Sequence, residues 1–317
     1  MNFERQSSIH KILGGTEEEQ KKALENASEK FSTPLFYEDV ERRKTPEEEE
    51  VIAFVVSQMA DFLQDYGVLS LPINSSHVHI FDDSIMTERV RDWMEKEHPN
   101  PAEAFCDQNS QQIVVFGWKL KSLLDLAQIV AHELIHFQSF NSQVINSPKN
   151  TTPRPHRVGL AVHPTSQILP GIEHTRFGWL NEAITEELNM RFDEKLRGLP
   201  MLKEDHEKVE DFRQKGAASD LRAIYTERFA VPEGEKYIIR PRYFSYSQER
   251  EKLNKLIADI FERHAEDFES TEDVFKVFVQ AAMTGDLKEL ATLIDSTFGS
   301  GTFKKMAAIK ESSESGS

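Results

Sequence analysis

The strongest periodicity in the chain runs from Lys119 to Phe140, where apolar residues recur on several sides of a 3.6-residue repeat. That pattern predicts a helix through the middle of the core rather than on its surface. Upstream, "GTEEEQKKALENASEKF" offers Thr16 as an N-cap with acids behind it, and Pro46 followed by four glutamates opens "VIAFVVSQMADFLQDYG", which Gly67 stops. Both stretches read as helices. Next come "HVHIFDD" (77 to 83) and "QQIVVFGW" (111 to 118), short and rich in β-formers, with "TERVRDWMEKEH" helical between them. A small sheet therefore precedes the central helix.

After Phe140 the periodicity disappears. Residues 141 to 178 contain five prolines and three histidines, and only "RVGLAV" resembles a strand. A structureless insertion of that length inside a domain is usually functional or disordered. Helical spacing returns in "WLNEAITEELNMRF", with Leu180, Ile184, Leu188 and Phe192 repeating every four residues. Further amphipathic helices are expected near 204 to 229, 247 to 268, 271 to 283 and 286 to 298, interrupted by "VPEGEKYIIRPRYFSYS" and by a turn at Gly285.

The expected fold class is α+β, with a small mixed sheet and central helix followed by a mostly helical C-terminal lobe. Five regions follow: an acidic N-terminal segment (1–45), a sheet and central-helix lobe (46–140), an insertion bordering a cleft (141–178), the helical lobe (179–310) and a disordered tail (311–317).

Charge narrows the partners. The 317 residues hold 38 Lys and Arg against 54 Asp and Glu, a net charge of −16, and the basic residues are scattered rather than striped. This argues against nucleic acid or an anionic membrane surface as partner. Cys106 is the single cysteine, so no internal disulfide forms. It reads as a small buried apolar group. The opening "MNFERQSSIHKILGG" lacks a secretory-leader pattern and no apolar run reaches 18 residues, so the cytoplasm is the expected compartment.

Within the central helix, "IVAHELIHFQS" sets His132, Glu133 and His136 among apolar neighbours. Positions four apart differ by about 40° around a helix axis, so the two imidazoles project from one face and can share one ion. Glu133, about 100° round from His132, is placed to act as a general base on a water rather than as a ligand. Unpaired polar groups in such surroundings cost several kcal/mol. A metal removes that cost, although a hydrogen-bonded pair of core histidines would also reduce it. A catalytic zinc site takes three protein ligands. A third histidine shortly after the second is absent, since those positions are Ser139 and Ser142, whereas "NEAITE" supplies Glu182 and Glu186 at i, i+4. Like charges so placed are mildly unfavourable on an isolated helix and make sense facing a dication.

H-E-L-I-H followed by N-E-A-I-T-E resembles the motif pair of the gluzincins, the glutamate-ligand zinc metallopeptidases typified by thermolysin. The resemblance covers about fifteen residues and is closest in outline to intracellular bacterial metallopeptidases. It implies a zincin-like fold, one Zn2+ per chain on His132, His136 and Glu182, and hydrolysis of a peptide or protein substrate with Glu133 as base. It also implies that Glu186 accepts a hydrogen bond from His132 and that Asn181 braces the site against His136. Family members carry a Tyr or His donor for the oxyanion beyond the third ligand; the candidates are Tyr246, then Tyr243, with His174 outside them. Arg240 and Arg242 are candidates to grip a substrate carboxylate. His77 and His79 alternate along an expected strand and suggest a second metal or two ordinary strand residues. Two other functions fit the same motifs: a zincin-fold scaffold without hydrolysis, and a zinc hydrolase of a non-peptide amide.

Overall fold

The computed structural model describes residues 7–32, 37, 39–88, 103–145, 153–163, 175–231 and 234–307. Most of the helix expected over 87 to 98, and the expected tail, lie outside them.

Local signals set the first two helices. Helix α1 (Glu17–Ser32) starts where Thr16 Oγ1 accepts the Glu19 N–H at 3.3 Å while the Glu19 carboxylate takes the Thr16 N–H at 2.7 Å. Helix α2 (Pro46–Gln64) repeats this capping box with Thr45 and Glu48. Each satisfies two backbone donors that a helix start leaves unpaired. The chain leaves α2 through Gly67, at φ +73°.

Strands β2 (Glu41–Arg42), β3 (Val78–Phe81), β4 (Ala104–Asp107) and β5 (Gln112–Phe116) form a mixed sheet in the order β2-β3-β5-β4. The β3–β5 pair is parallel and the outer pairs are antiparallel. Helix α3 (Leu123–Gln138) packs between this sheet, α2 and α4 (Gly178–Leu196). As its pattern required, α3 is apolar almost all round, with Ala127, Val130, Ala131, Leu134, Ile135 and Phe137 fully buried. Leu180, Ile184, Leu188 and Phe192 form the matching stripe on α4.

Two regions depart from the sequence reading. The 141–178 segment is partly a sheet: β6 (Asn141–Val144), β7 (Arg154–Val158) and β8 (Ala161–Val162) are joined by β1 (Lys11–Leu13), in the order β1-β6-β7-β8. Strand β6 runs parallel to β1, from a distant part of the chain, so no local pattern announced it. The helix expected over 204 to 229 ends early. Helix α5 (Lys203–Gln214) gives way at Gly216, φ +97°, and Leu221–Val231 (β9) pairs antiparallel with Gly234–Tyr243 (β10). The C-terminal lobe is therefore helical around a two-stranded hairpin. Apolar residues in "LRAIYTERFAV" satisfy either period, and the cross-strand partner decides between them.

The described residues end in α6 (Ser247–Arg263), α7 (Thr271–Thr284), α8 (Lys288–Phe298) and α9 (Thr302–Met306). Gly285, at φ +79°, caps α7 where a Cβ would stand 2.4 Å from the Phe140 ring. The fold class is α+β. Among the described residues no helix is long and apolar enough to cross a membrane.

Candidate metal centre

Ser122 caps α3 by accepting the Asp125 N–H, and two turns later the helix presents His132 and His136 on one face. Their rings stand edge to face with centroids 4.9 Å apart, and the Nε2 atoms are separated by 3.2 Å. Helix α4 brings Glu182 against them. Its Oε2 lies 3.3 Å from His136 Nε2 and 3.7 Å from His132 Nε2.

These three atoms form a triangle that fits one ion. For bonds of about 2.0 to 2.1 Å, the corners of a tetrahedron stand about 3.3 to 3.4 Å apart. No other group of three or more His, Cys, Asp or Glu among the described residues has metal-holding geometry. The three side chains keep 12 to 21% of their surface exposed, so the triangle is reachable from solvent.

Glu186 accepts from His132 Nδ1 at 2.7 Å, as the motif implied. An ionised carboxylate only accepts, so Nδ1 carries the proton and a neutral His132 turns the lone pair of Nε2 toward the triangle. Glu186 is itself fixed by the Ser245 N–H at 2.5 Å and Asn189 Nδ2 at 3.1 Å. Neither partner was suggested by the sequence, because backbone donors and distant amides carry no motif.

The charges are strongly coupled. Burial alone would lower the His132 pKa, but the charge and hydrogen bond of Glu186, with Glu133 and Glu182 nearby, lift it to about 9. Burial would raise Glu182, yet His136 and His132, with a hydrogen bond from Asn181, hold it at about 2. Glu186 is likewise lowered against its burial, chiefly by His132 and further by Arg222. Glu133 behaves differently. Burial pushes it up, opposed by the two histidines, and the Cys106 N–H hydrogen-bonds to it. A carboxylate raised in this way is a better proton acceptor. Cys106 itself is partly buried on β4, its Sγ accepting from Gln108 Nε2 at 3.2 Å, and burial keeps its thiol protonated.

Tyr246 lies beside the triangle, its ring nearly parallel to that of His132 at 12°, with centroids 6.4 Å apart. It adopts φ +56°, uncommon for a non-glycine residue, where the chain turns from β10 into α6. Tyr243, at the end of β10, is exposed. His174 lies outside the described residues. His163 was missed: it follows β8, its backbone N–H bonds to the His156 carbonyl at 2.8 Å, and it interacts electrostatically with Glu182. Its segment has no periodicity to place it.

Two expectations are corrected. The Asn181 side chain does not meet His136; its Oδ1 accepts the Leu160 N–H at 2.9 Å and seats the β7–β8 turn. Arg242 and Arg240 are engaged elsewhere. Arg242 binds Asp125 at 2.6 Å and Glu103 at 2.7 Å, and Arg240 binds Glu227 at 2.9 Å across the hairpin. Of the two readings of His77 and His79, that of ordinary residues fits, since among the described residues they form no metal-holding group. His77 sits in a short 3-10 turn with Nε2 3.0 Å from the Phe31 carbonyl, and His79 Nδ1 meets Glu41 at 2.8 Å.

No protein-family model matches the chain. No curated protein and no solved structure matches it either.

Proposed function

We propose that this chain is a zinc-dependent peptidase of the gluzincin kind, with a zincin-like arrangement of sheet, α3 and α4. The observation that carries the reading is the donor triangle of His132, His136 and Glu182, with Glu133 one residue from the first ligand and Glu186 holding that ligand's ring. When held by those three residues, zinc would polarise a scissile carbonyl and acidify a water.

The chain's own groups supply the rest. Glu133 takes a proton from the attacking water and passes it to the leaving amine as the C–O bond forms and the C–N bond breaks. Tyr246, against His132, is the candidate to donate a hydrogen bond from its phenol to the carbonyl oxygen as charge develops there. A peptide is favoured over another amide by strand β4. It is the edge of its sheet among the described residues. Glu103 O accepts from Phe116 N, whereas the Cys106 N–H turns to Glu133. Alternate residues of an antiparallel strand turn their polar groups the same way, so Ala104 and Cys106 both address the side of the base. An extended peptide can add there as a further strand.

Elemental analysis of purified chain tests the metal, and a peptide library tests turnover. About one zinc per chain is expected in the wild type, with loss in Glu182→Ala. Glu133→Gln should keep zinc while abolishing cleavage. Wild type without zinc would return His132 and His136 to an ordinary hydrogen-bonded core pair; full turnover in Glu133→Gln would remove Glu133 as base.

A further inference from the structure

Asp125 is fully buried on α3 and each of its carboxylate oxygens receives an arginine from the hairpin. Oδ1 takes Arg222 at 2.8 Å and Oδ2 takes Arg242 at 2.6 Å. Glu103 bridges the same two guanidinium groups at 2.6 and 2.7 Å, and Arg242 also donates to the Lys119 carbonyl at 3.0 Å. Stability alone explains such a set poorly, because replacing buried ion pairs by packed apolar residues is often neutral or stabilising. Geometry explains it better. The planar fork of arginine fixes direction as well as distance.

The position of the clamp gives that geometry a use. Asp125 precedes His132 by seven residues, a rise of about 10.5 Å along the helix. Arg242 precedes Ser245 by three residues, which span at most about 10 to 11 Å. Only two residues separate Arg242, held by the clamp, from Ser245, held by Glu186, so the clamp anchors the chain close to the metal centre. There the Ser245 N–H meets Glu186, and Tyr246 lies on His132.

We propose that the Arg222–Asp125–Arg242 clamp is a positioning device for the metal centre: by fixing the base of the β9–β10 hairpin to α3 it sets Ser245 on Glu186 and Tyr246 on His132, and so the orientation of the His132 ring. The proposal rests on the metal-centre reading above. It gives Arg242 a role that touches neither metal nor substrate.

The test uses the full chain loaded with Co2+, whose visible spectrum reports ligand geometry, together with zinc affinity by chelator competition. Arg242→Gln should shift the cobalt band and weaken zinc binding by about tenfold, the lower end of what a lost ligand-orienting partner costs. Arg242→Lys, which keeps charge without the fork, should recover only part of the loss. Glu103→Gln alters a more exposed member of the clamp, so the fold is retained even if Arg242→Gln misfolds; it should move band and affinity in the same direction by about threefold. If folded variants melt earlier but keep the wild-type band and zinc affinity, the clamp is only structural and the proposal is overturned. If wild type binds neither ion, the metal-centre reading fails first and the clamp has nothing to position.

Discussion

On the proposal that His132, His136 and Glu182 hold zinc, replacing Glu186 by Gln should have two opposed effects on metal affinity that pH separates. In the metal-free chain His132 has a pKa of about 9, so near neutral pH an incoming ion must displace a proton from almost every molecule. Two pH units below that pKa, the competition costs about 3 kcal/mol, or roughly a hundredfold in affinity. Above it the cost vanishes. The principal upward influence on His132 is Glu186, through its charge and its 2.7 Å hydrogen bond. Glutamine removes the charge, burial then pulls His132 down, and the proton competes less. Against this gain stands the loss of the partner that orients the ring, worth about 10- to 100-fold. Near pH 7 the two effects should offset each other to within about an order of magnitude. Near pH 9.5 only the orienting loss survives, so the variant should bind about 10- to 100-fold more weakly than wild type. Competition against a chromophoric chelator across this range, corrected for the chelator's own protons, measures both limits. A ratio of affinities that stays constant with pH would refute the coupling of Glu186 to the His132 proton.

Two further outcomes follow from the same geometry. The metal-free chain should lose stability as pH rises: a group whose folded pKa lies above its unfolded value of 6.5 contributes fully below 6.5, and the contribution is gone above about 9. Thermal melts of chelator-treated protein should fall across that window and zinc-loaded protein should not; parallel curves would count against it. Gly159→Ala should cost about 2 to 4 kcal/mol in urea titration, because the residue sits at φ +56° and its Cβ would stand 2.1 Å from Asn181 Oδ1, displacing the bond to Leu160. A loss below about 1 kcal/mol would mean that this turn moves freely on α4.

Local chemistry made much of the molecule legible. The N-cap at Thr16, the helix start at Pro46, the stop at Gly67 and the four-residue stripe on α4 act within one or two helical turns, and the structure contains each of them. The same holds for the His132–His136 pair, where helical spacing suffices, while the contact of Glu186 with His132 was implied by the motif resemblance. Residues 141 to 144 and 221 to 229 were misread because short strands take their identity from partners elsewhere, such as β1 for β6. A long helix or a capped turn contains its own partners. A strand does not.

The site divides along the same line. The sequence by itself determined which face of α3 carries the imidazoles, a consequence of a fixed helical period, whereas the carboxylate of α4 as their partner was only what the motif resemblance implied. Only the tertiary structure decided that Glu182 Oε2 reaches both imidazoles, that Ser245 holds Glu186, and that Arg242 serves Asp125 rather than a substrate. The physical reason is that a buried charge must be matched by whatever donor the packing brings within hydrogen-bond reach. For Arg242 that partner lies 117 residues away, and nothing between the two records the meeting.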